Sequence, residues 1–200
     1  MKIGLLGGTF DPIHMGHLII AQEVRVRLGL DKIVFMPASH PWLKIDRKIT
    51  DARHRLAMIK LAIASDSCFE VSTAELDRPG PTYTVDTVEA LKAKSNPTDE
   101  WYFIVGSDAL ADFPRWKEPK RVISLCQIVQ VERPGSSNID LAALKPLIPE
   151  VSSCLRPVDV PQIDISSTAI RERVMMGYPI RYMVPPDVEA YIYEHGLYSR

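Results

Sequence analysis

Three cysteines in 200 residues give neither a disulfide framework nor a zinc site: Cys68, Cys126 and Cys154 are odd in number, far apart and nowhere in Cys-x-x-Cys spacing. They read as buried thiols of a reducing compartment. There is no basic excess to mark a nucleic-acid surface, because 24 Lys and Arg face 25 Asp and Glu, for a formal net charge of -1. An anionic ligand would therefore need a local site. No apolar run approaches the length that spans a bilayer. The opening residues run straight into glycines without the apolar region of a signal peptide. A cytoplasmic protein with no nucleic-acid or membrane partner is expected. Internal repeats, low-complexity tracts and long linkers are absent too. Residues 1–200 are thus expected to form one domain, large enough to bury a core without staples.

Two familiar phosphate-loop signatures are also missing. The chain has no G-x-G-x-x-G and no glycine loop closed by Gly-Lys-Ser/Thr. It has instead Gly7-Gly8-Thr9-Phe10-Asp11-Pro12-Ile13-His14-Met15-Gly16-His17, joining an apolar strand to an amphipathic helix. Glycines let backbone N–H groups approach an anion, and a helix N-terminus adds positive potential. His14 and His17, three apart, share one face of the first helical turn. Gly16 is costly in a helix, by about 1 kcal/mol against Ala; its expected use is to clear space for a ligand. A lone histidine is most often a core or surface residue. Two imidazoles at a glycine-rich strand-to-helix junction suit a triphosphate, to which they can donate as charge develops. No third ligand at zincin spacing supports a metal pair.

Short apolar runs alternate with amphipathic stretches over the whole length. Residues 2–6, 32–36, 69–72, 101–105, 127–131 and 155–160 read as strands. Residues 14–28, 51–64, 83–94, 167–176 and 186–194 read as helices, with Thr50 as the N-cap of the second. Pro157 demotes the last strand to an edge. This alternation predicts an α/β fold of βαβ units with a mostly parallel sheet. Ligands bind such sheets at the carboxyl ends of the strands, where the unusual residues fall. The late segment Ile165-Ser166-Ser167-Thr168-Ala169-Ile170-Arg171 opens a helix. Ser167 or Thr168 would serve there as an N-cap, or as a hydroxyl for phosphate beside the planar fork of Arg171.

These two segments together resemble the nucleotidylyltransferase superfamily, with H-x-G-H early and S-S/T-x-I-R late. Further pieces resemble its bacterial nicotinate-nucleotide adenylyltransferase family: Pro37 with Lys44, Pro81-Thr82-Tyr83-Thr84-Val85-Asp86-Thr87, Phe103 to Asp108, Trp116, Arg133-Pro134-Gly135 and the tail Tyr191 to Tyr198. The resemblance implies a Rossmann-like, doubly wound fold with a small helical C-terminal part at about 166–200. It implies adenylyl transfer from ATP to nicotinate mononucleotide, giving deamido-NAD and pyrophosphate, with Mg²⁺ held mainly through the ATP phosphates. It leaves a homo-oligomer open.

By the same resemblance, Gly8, Thr9 and Phe10 shape the loop at the bond-forming centre. His14 and His17 hold the phosphates, and Ser167, Thr168 and Arg171 grip the triphosphate tail. Gly106, Asp108 and Arg133 belong with ATP. Lys44 neutralises phosphate charge. Thr84 and Trp116 form the nicotinate pocket, with backbone N–H groups near Thr84 and Lys117 meeting the ring carboxylate. The chain departs from the family pattern at Leu43, where a histidine is common, and at Lys117, where an aromatic residue or histidine is common. Another nucleotidyltransferase of phosphorylated small molecules, or a non-catalytic nucleotide sensor on the same fold, are the competing readings.

Overall fold

The computed structural model describes residues 1–39, 49–78, 80, 82–131 and 154–199. Six strands form one sheet: β1 (Lys2–Gly8), β2 (Lys32–Pro37), β3 (Phe69–Val71), β4 (Glu100–Gly106), β5 (Gln127–Val131) and β6 (Leu155–Val158). Their order is β3-β2-β1-β4-β5-β6, and every pairing is parallel. The chain works outward from β1 to one edge, then crosses back to β4 and works outward to the other. That reversal opens a crevice at the carboxyl ends of β1 and β4. The register there pairs Gly8 with Pro37 on one side and Leu6 with Ile104 on the other.

The interior strands read as unbroken apolar runs because both faces of the sheet are covered. Alternate residues feed two separate cores. Leu6, Ile33, Phe35 and Ile104 face one; Leu5, Val34, Met36, Phe103 and Val105 face the other. Helices α1 (Met15–Leu28) and α2 (Ala52–Ile63) cover the first face, supplying Ala21, Val24, Met58, Ile59 and Ile63. The second face is covered by α3 (Thr84–Lys92), α4 (Ser107–Ala111), a 3₁₀ turn at Phe113–Arg115 and α5 (Pro119–Leu125). The final helices, α6 (Ser167–Met175) and α7 (Pro186–Glu194), carry Ile170, Val188 and Ile192 into the first core. The C-terminal helices therefore share the core of α1 and α2.

Several local expectations are corrected. The N-cap of α2 is Asp51, whose carboxylate accepts from the Arg53 N–H at 2.9 Å, and not Thr50. Ser166 caps α6 by accepting from the Ala169 N–H at 3.1 Å, which releases Ser167 and Thr168 from that duty. Of the cysteines only Cys126 is buried; Cys68 and Cys154 are half-buried. Burial pushes the Cys126 thiol up to about 12, which keeps it protonated and inert. Among the described residues, no helix is long and apolar enough to cross a membrane.

Candidate active site

A cavity of about 680 Å³ lies over the carboxyl ends of β1 and β4. Its wall brings together Gly8, Thr9, Phe10, His14, His17, Thr84, Gly106, Trp116, Ser167, Thr168 and Arg171, residues drawn from both ends of the chain.

The loop after β1 is shaped by close packing. A Cβ on Gly8 would stand 2.9 Å from the Phe10 ring, so only glycine lets that ring fold back. Phe10 holds a positive φ of 50° and is 1 % exposed; its ring meets Phe35 at 5.8 Å and the His17 imidazole edge-on at 4.9 Å. Phe10 thus acts as a buried prop beneath His17. Gly16 also answers to a close contact. A Cβ there would lie 3.1 Å from Cε1 and Nδ1 of the His14 ring, so Gly16 makes room for that imidazole.

His14 is the N-cap of α1 and is buried, while His17 sits at its third position. Their rings stack with centroids 3.7 Å apart and planes 28° apart. The His14 backbone N–H donates to His17 Nδ1 at 3.2 Å. That bond assigns the lone pair to Nδ1, so the proton of the neutral ring sits on Nε2 as a donor.

The late segment reaches this centre directly. Arg171 Nη1 donates to the Asp11 carbonyl at 2.7 Å, and Ser167 Oγ donates to the Pro12 carbonyl at 2.9 Å. Arg171 Nη2 donates to Thr168 Oγ1 at 3.2 Å. The N-terminus of α6 is thereby latched onto the loop that leads into His14, 160 residues away in the chain at the Asp11 contact.

A buried network holds the loop from beneath. Arg55 of α2 is 1 % exposed. Its guanidinium donates to the Thr9 carbonyl at 2.8 Å, the Ala38 carbonyl at 2.9 Å and the Thr50 carbonyl at 2.9 Å. Burial lowers its affinity for the proton, and the nearby Asp11 carboxylate opposes that. Asp11 in turn accepts from the Thr50 N–H at 3.2 Å and from the Tyr198 hydroxyl at 2.8 Å. Burial, reinforced by Asp11, pushes the Tyr198 phenol well above its ordinary value, so it stays a donor.

The far end of the cavity is built differently. Trp116 is wedged edge-on between Phe103, at 5.7 Å and 89°, and Phe113, at 5.0 Å and 61°. Thr84 is the first residue of α3, whose N-cap Tyr83 makes no side-chain cap bond. The Lys117 ammonium lies 3.0 and 3.1 Å from the Asp86 carboxylate oxygens and 5.0 Å over the Tyr83 ring, so it is committed to α3. Lys44 and Arg133 lie outside the described residues, as does the Asp108 side chain; the Asp108 backbone belongs to α4.

Glu75, 7 % exposed, also lines this end. It accepts from Thr82 Oγ1 at 3.2 Å and Thr87 Oγ1 at 3.1 Å. Burial raises its pKa, against the two hydroxyls and Arg78, which lower it. A carboxyl raised above its unfolded value contributes stability that is full below the unfolded pKa and lost as pH rises through the folded one. Glu75→Gln, which cannot ionise, should therefore gain thermal midpoint relative to the unaltered protein as pH rises above the unfolded carboxyl value of about 4.3. A difference between the two melting curves that is flat or shrinks above that value would contradict this.

Among the described residues, no group of three or more His, Cys, Asp or Glu is arranged to hold a metal ion. The donors lining the cavity are imidazoles, hydroxyls and a guanidinium, a set suited to oxyanions.

The family model described as cytidylyltransferase-like matches residues 5–173. A Roseiflexus sp. protein named "Probable nicotinate-nucleotide adenylyltransferase" is 51 % identical over 196 residues, covering 98 % of this chain and 97 % of that one. A Dehalococcoides mccartyi protein of the same name is 46 % identical over 200 residues, covering 100 % and 98 %. The fold is similar to that of the Plasmodium falciparum nicotinic acid mononucleotide adenylyltransferase complexed with NaAD, with a TM-score of 0.78 at 23 % identity over 98 % of this chain and 97 % of that one.

Proposed function

The chain belongs to the nicotinate-nucleotide adenylyltransferase family, and from that premise we propose that it joins ATP and nicotinate mononucleotide in the cavity over β1 and β4. The adenylyl group of ATP passes to the mononucleotide phosphate, giving deamido-NAD and pyrophosphate, a step of NAD biosynthesis. The observation that carries the reading is the convergence of His14, His17 and Arg171 on one cavity wall.

The chemistry is an in-line displacement. A phosphate oxygen of the mononucleotide forms a bond to the α-phosphorus of ATP. The bond from that phosphorus to the bridging oxygen of the β-phosphate breaks, and pyrophosphate leaves with the electron pair. No protein nucleophile is required; the work is positioning and stabilisation of oxyanion charge. His17 Nε2–H and the His14 imidazole donate to the α-phosphate and the departing pyrophosphate. Arg171, Ser167 and Thr168 hold the β- and γ-phosphates at the N-terminus of α6, where the helix end adds positive potential. Lys44 and Arg133 are assigned to the phosphates and ATP, and Gly106 and Asp108 to the adenosine. Mg²⁺, brought mainly with the ATP phosphates, would supply charge neutralisation there. Both Asp11 carboxylate oxygens already accept protein hydrogen bonds, which favours that arrangement over an all-protein cage.

At the other end, the pyridine ring stacks on Trp116. Its carboxylate meets the first-turn N–H groups of α3 at Thr84 and the backbone at Lys117. The setting we assign is the cytoplasm.

The reading is tested by measuring pyrophosphate release from ATP with a panel of phosphorylated acceptors. Nicotinate mononucleotide should turn over far faster than nicotinamide mononucleotide or phosphopantetheine; ATP binding without pyrophosphate release on any acceptor would leave a sensor. Trp116→Ala should raise KM for the mononucleotide by about tenfold, the scale of one lost stacking platform, and KM for ATP much less. Equal effects on the two would remove Trp116 from the pocket.

A further inference from the structure

The turn that follows β3 carries a polar cluster with no part in phosphate chemistry. It opens where the Ser72 N–H donates to the Phe35 carbonyl at 2.9 Å, and it closes with the Asp77 N–H on the Thr73 carbonyl at 2.9 Å. Glu75 sits in the middle of this turn, with its carboxylate directed inward. It is one of eight buried polar or charged side chains named for the described residues.

Its two partners lie either side of one point in the chain. Thr82 precedes Tyr83–Thr84 by one residue, and Thr87 is one helical turn beyond Tyr83. Thr87 is fully buried at 0 % exposure. Its Oγ1 lies 3.1 Å from Glu75 Oε1 and 3.1 Å from the Tyr83 carbonyl, so one hydroxyl proton is shared between the carboxylate and the first turn of α3. Arg78, from the same turn as Glu75, donates from Nη1 to Thr87 Oγ1 at 3.2 Å and from Nη2 to the Asp86 carbonyl at 3.4 Å. The start of α3 is thus held from three sides by one short turn.

This fixes the end of the cavity at the start of α3. Tyr83, the N-cap, supplies no side-chain cap. Among the described residues, the other side-chain ion pair on this first turn is the exposed one of Asp86 with Lys117, which is worth little in water. A helix end that must present its first-turn N–H groups to an anion needs its position fixed to within about 0.5 Å and its direction to within about 10–20°. A buried carboxyl bonded to two hydroxyls provides that, because a partner moved out of place would leave a buried polar group unpaired.

We infer that Glu75, acting through Thr82 and Thr87, is the positioning residue that sets the N-terminus of α3 for the pyridine carboxylate of the mononucleotide. It touches no reacting atom. The inference rests on the reading that places the ring between Thr84 and Trp116.

The test compares steady-state constants of the intact enzyme with Glu75→Gln, Thr87→Val and the double variant. Both single changes keep side-chain volume, and Thr87→Val gives a second route should Glu75→Gln fold poorly. KM for nicotinate mononucleotide should rise about tenfold in each single variant, the size of one buried hydrogen bond lost from a preorganised site. KM for ATP should move less than about twofold, and kcat far less than the mononucleotide KM. The double variant should be no worse than the poorer single one, because the two side chains act as one link. Equal shifts in both KM values, additive effects, or no effect would overturn the role of Glu75. Trp116→Ala run alongside separates the two levels. If it raises the mononucleotide KM while Glu75→Gln does not, only the positioning role falls. If Trp116→Ala is also silent, the ring site itself is elsewhere and both fall.

Discussion

His17→Ala should lower kcat by about 10²–10³-fold, the scale of one lost transition-state donor, with both substrates saturating. Fold stability should change by only about 1 kcal/mol, the value of a helix-cap contact. The two numbers separate because the two ring nitrogens do different work. Nδ1 accepts the His14 N–H at 3.2 Å, a cap interaction internal to α1. That bond leaves Nε2 carrying the proton toward the cavity. The ring cannot turn to exchange these roles without losing the His14 bond. It is also confined between the Phe10 edge at 4.9 Å and the stacked His14 ring at 3.7 Å. A donor so fixed needs no reorganisation as charge builds on the oxygen leaving the α-phosphorus, and this is why removal falls on kcat more than on either KM. His17→Asn gives the control, since it keeps a polar side chain but cannot reproduce both contacts. Turnover within a few-fold of the unaltered enzyme in His17→Ala would take His17 out of the mechanism.

Much of this centre can be read from the chain because its parts are contiguous. The Gly7 to His17 and Ser166 to Arg171 segments are unusual strings at strand-to-helix and loop-to-helix junctions. Fully buried parallel strands announce themselves as apolar runs, so β1, β2, β4 and β5 fall where the pattern puts them. The stretch from Ser107 to Leu125 is different. Its helices have five and seven residues, and Pro114 and Pro119 interrupt it; no period can establish itself over so few positions. The supports of the site were hidden for another reason: their partners are backbone carbonyls and hydroxyls remote in sequence. Arg55 did leave a signal. It falls three residues after Ala52 and four before Ile59, on the apolar stripe of α2, where a charge is out of place unless buried and paired. Glu75, Asp11 and Tyr198 left none that periodicity could register. The contact of Gly16 with the His14 ring left no signal for the same reason, since the atom that needs its space is set by the capped start of α1.

Arg55→Ala should destabilise the fold by about 3–5 kcal/mol, the range for breaking a buried charged network. Three carbonyls lose their donor at once: Thr9 on the loop after β1, Ala38 just beyond β2, and Thr50 before α2. Each buried acceptor left unpaired costs about 1–3 kcal/mol, and a cavity the size of the lost side chain adds to that unless water enters. Among the described residues, the Asp11 carboxylate, whose charge Arg55 faces, keeps the Thr50 N–H and the Tyr198 hydroxyl. For a chain of this size the loss corresponds to a thermal midpoint about 6–20 °C lower. Arg55→Lys separates charge from geometry. An ammonium restores the positive charge opposite Asp11, but its point-like head cannot span the three carbonyls that the planar fork reaches together. Lys should therefore recover only part of the midpoint. A full recovery would mean that charge alone holds the loop, and a loss below about 1 kcal/mol in Arg55→Ala by urea denaturation would mean that the three loops do not depend on Arg55 for their alignment.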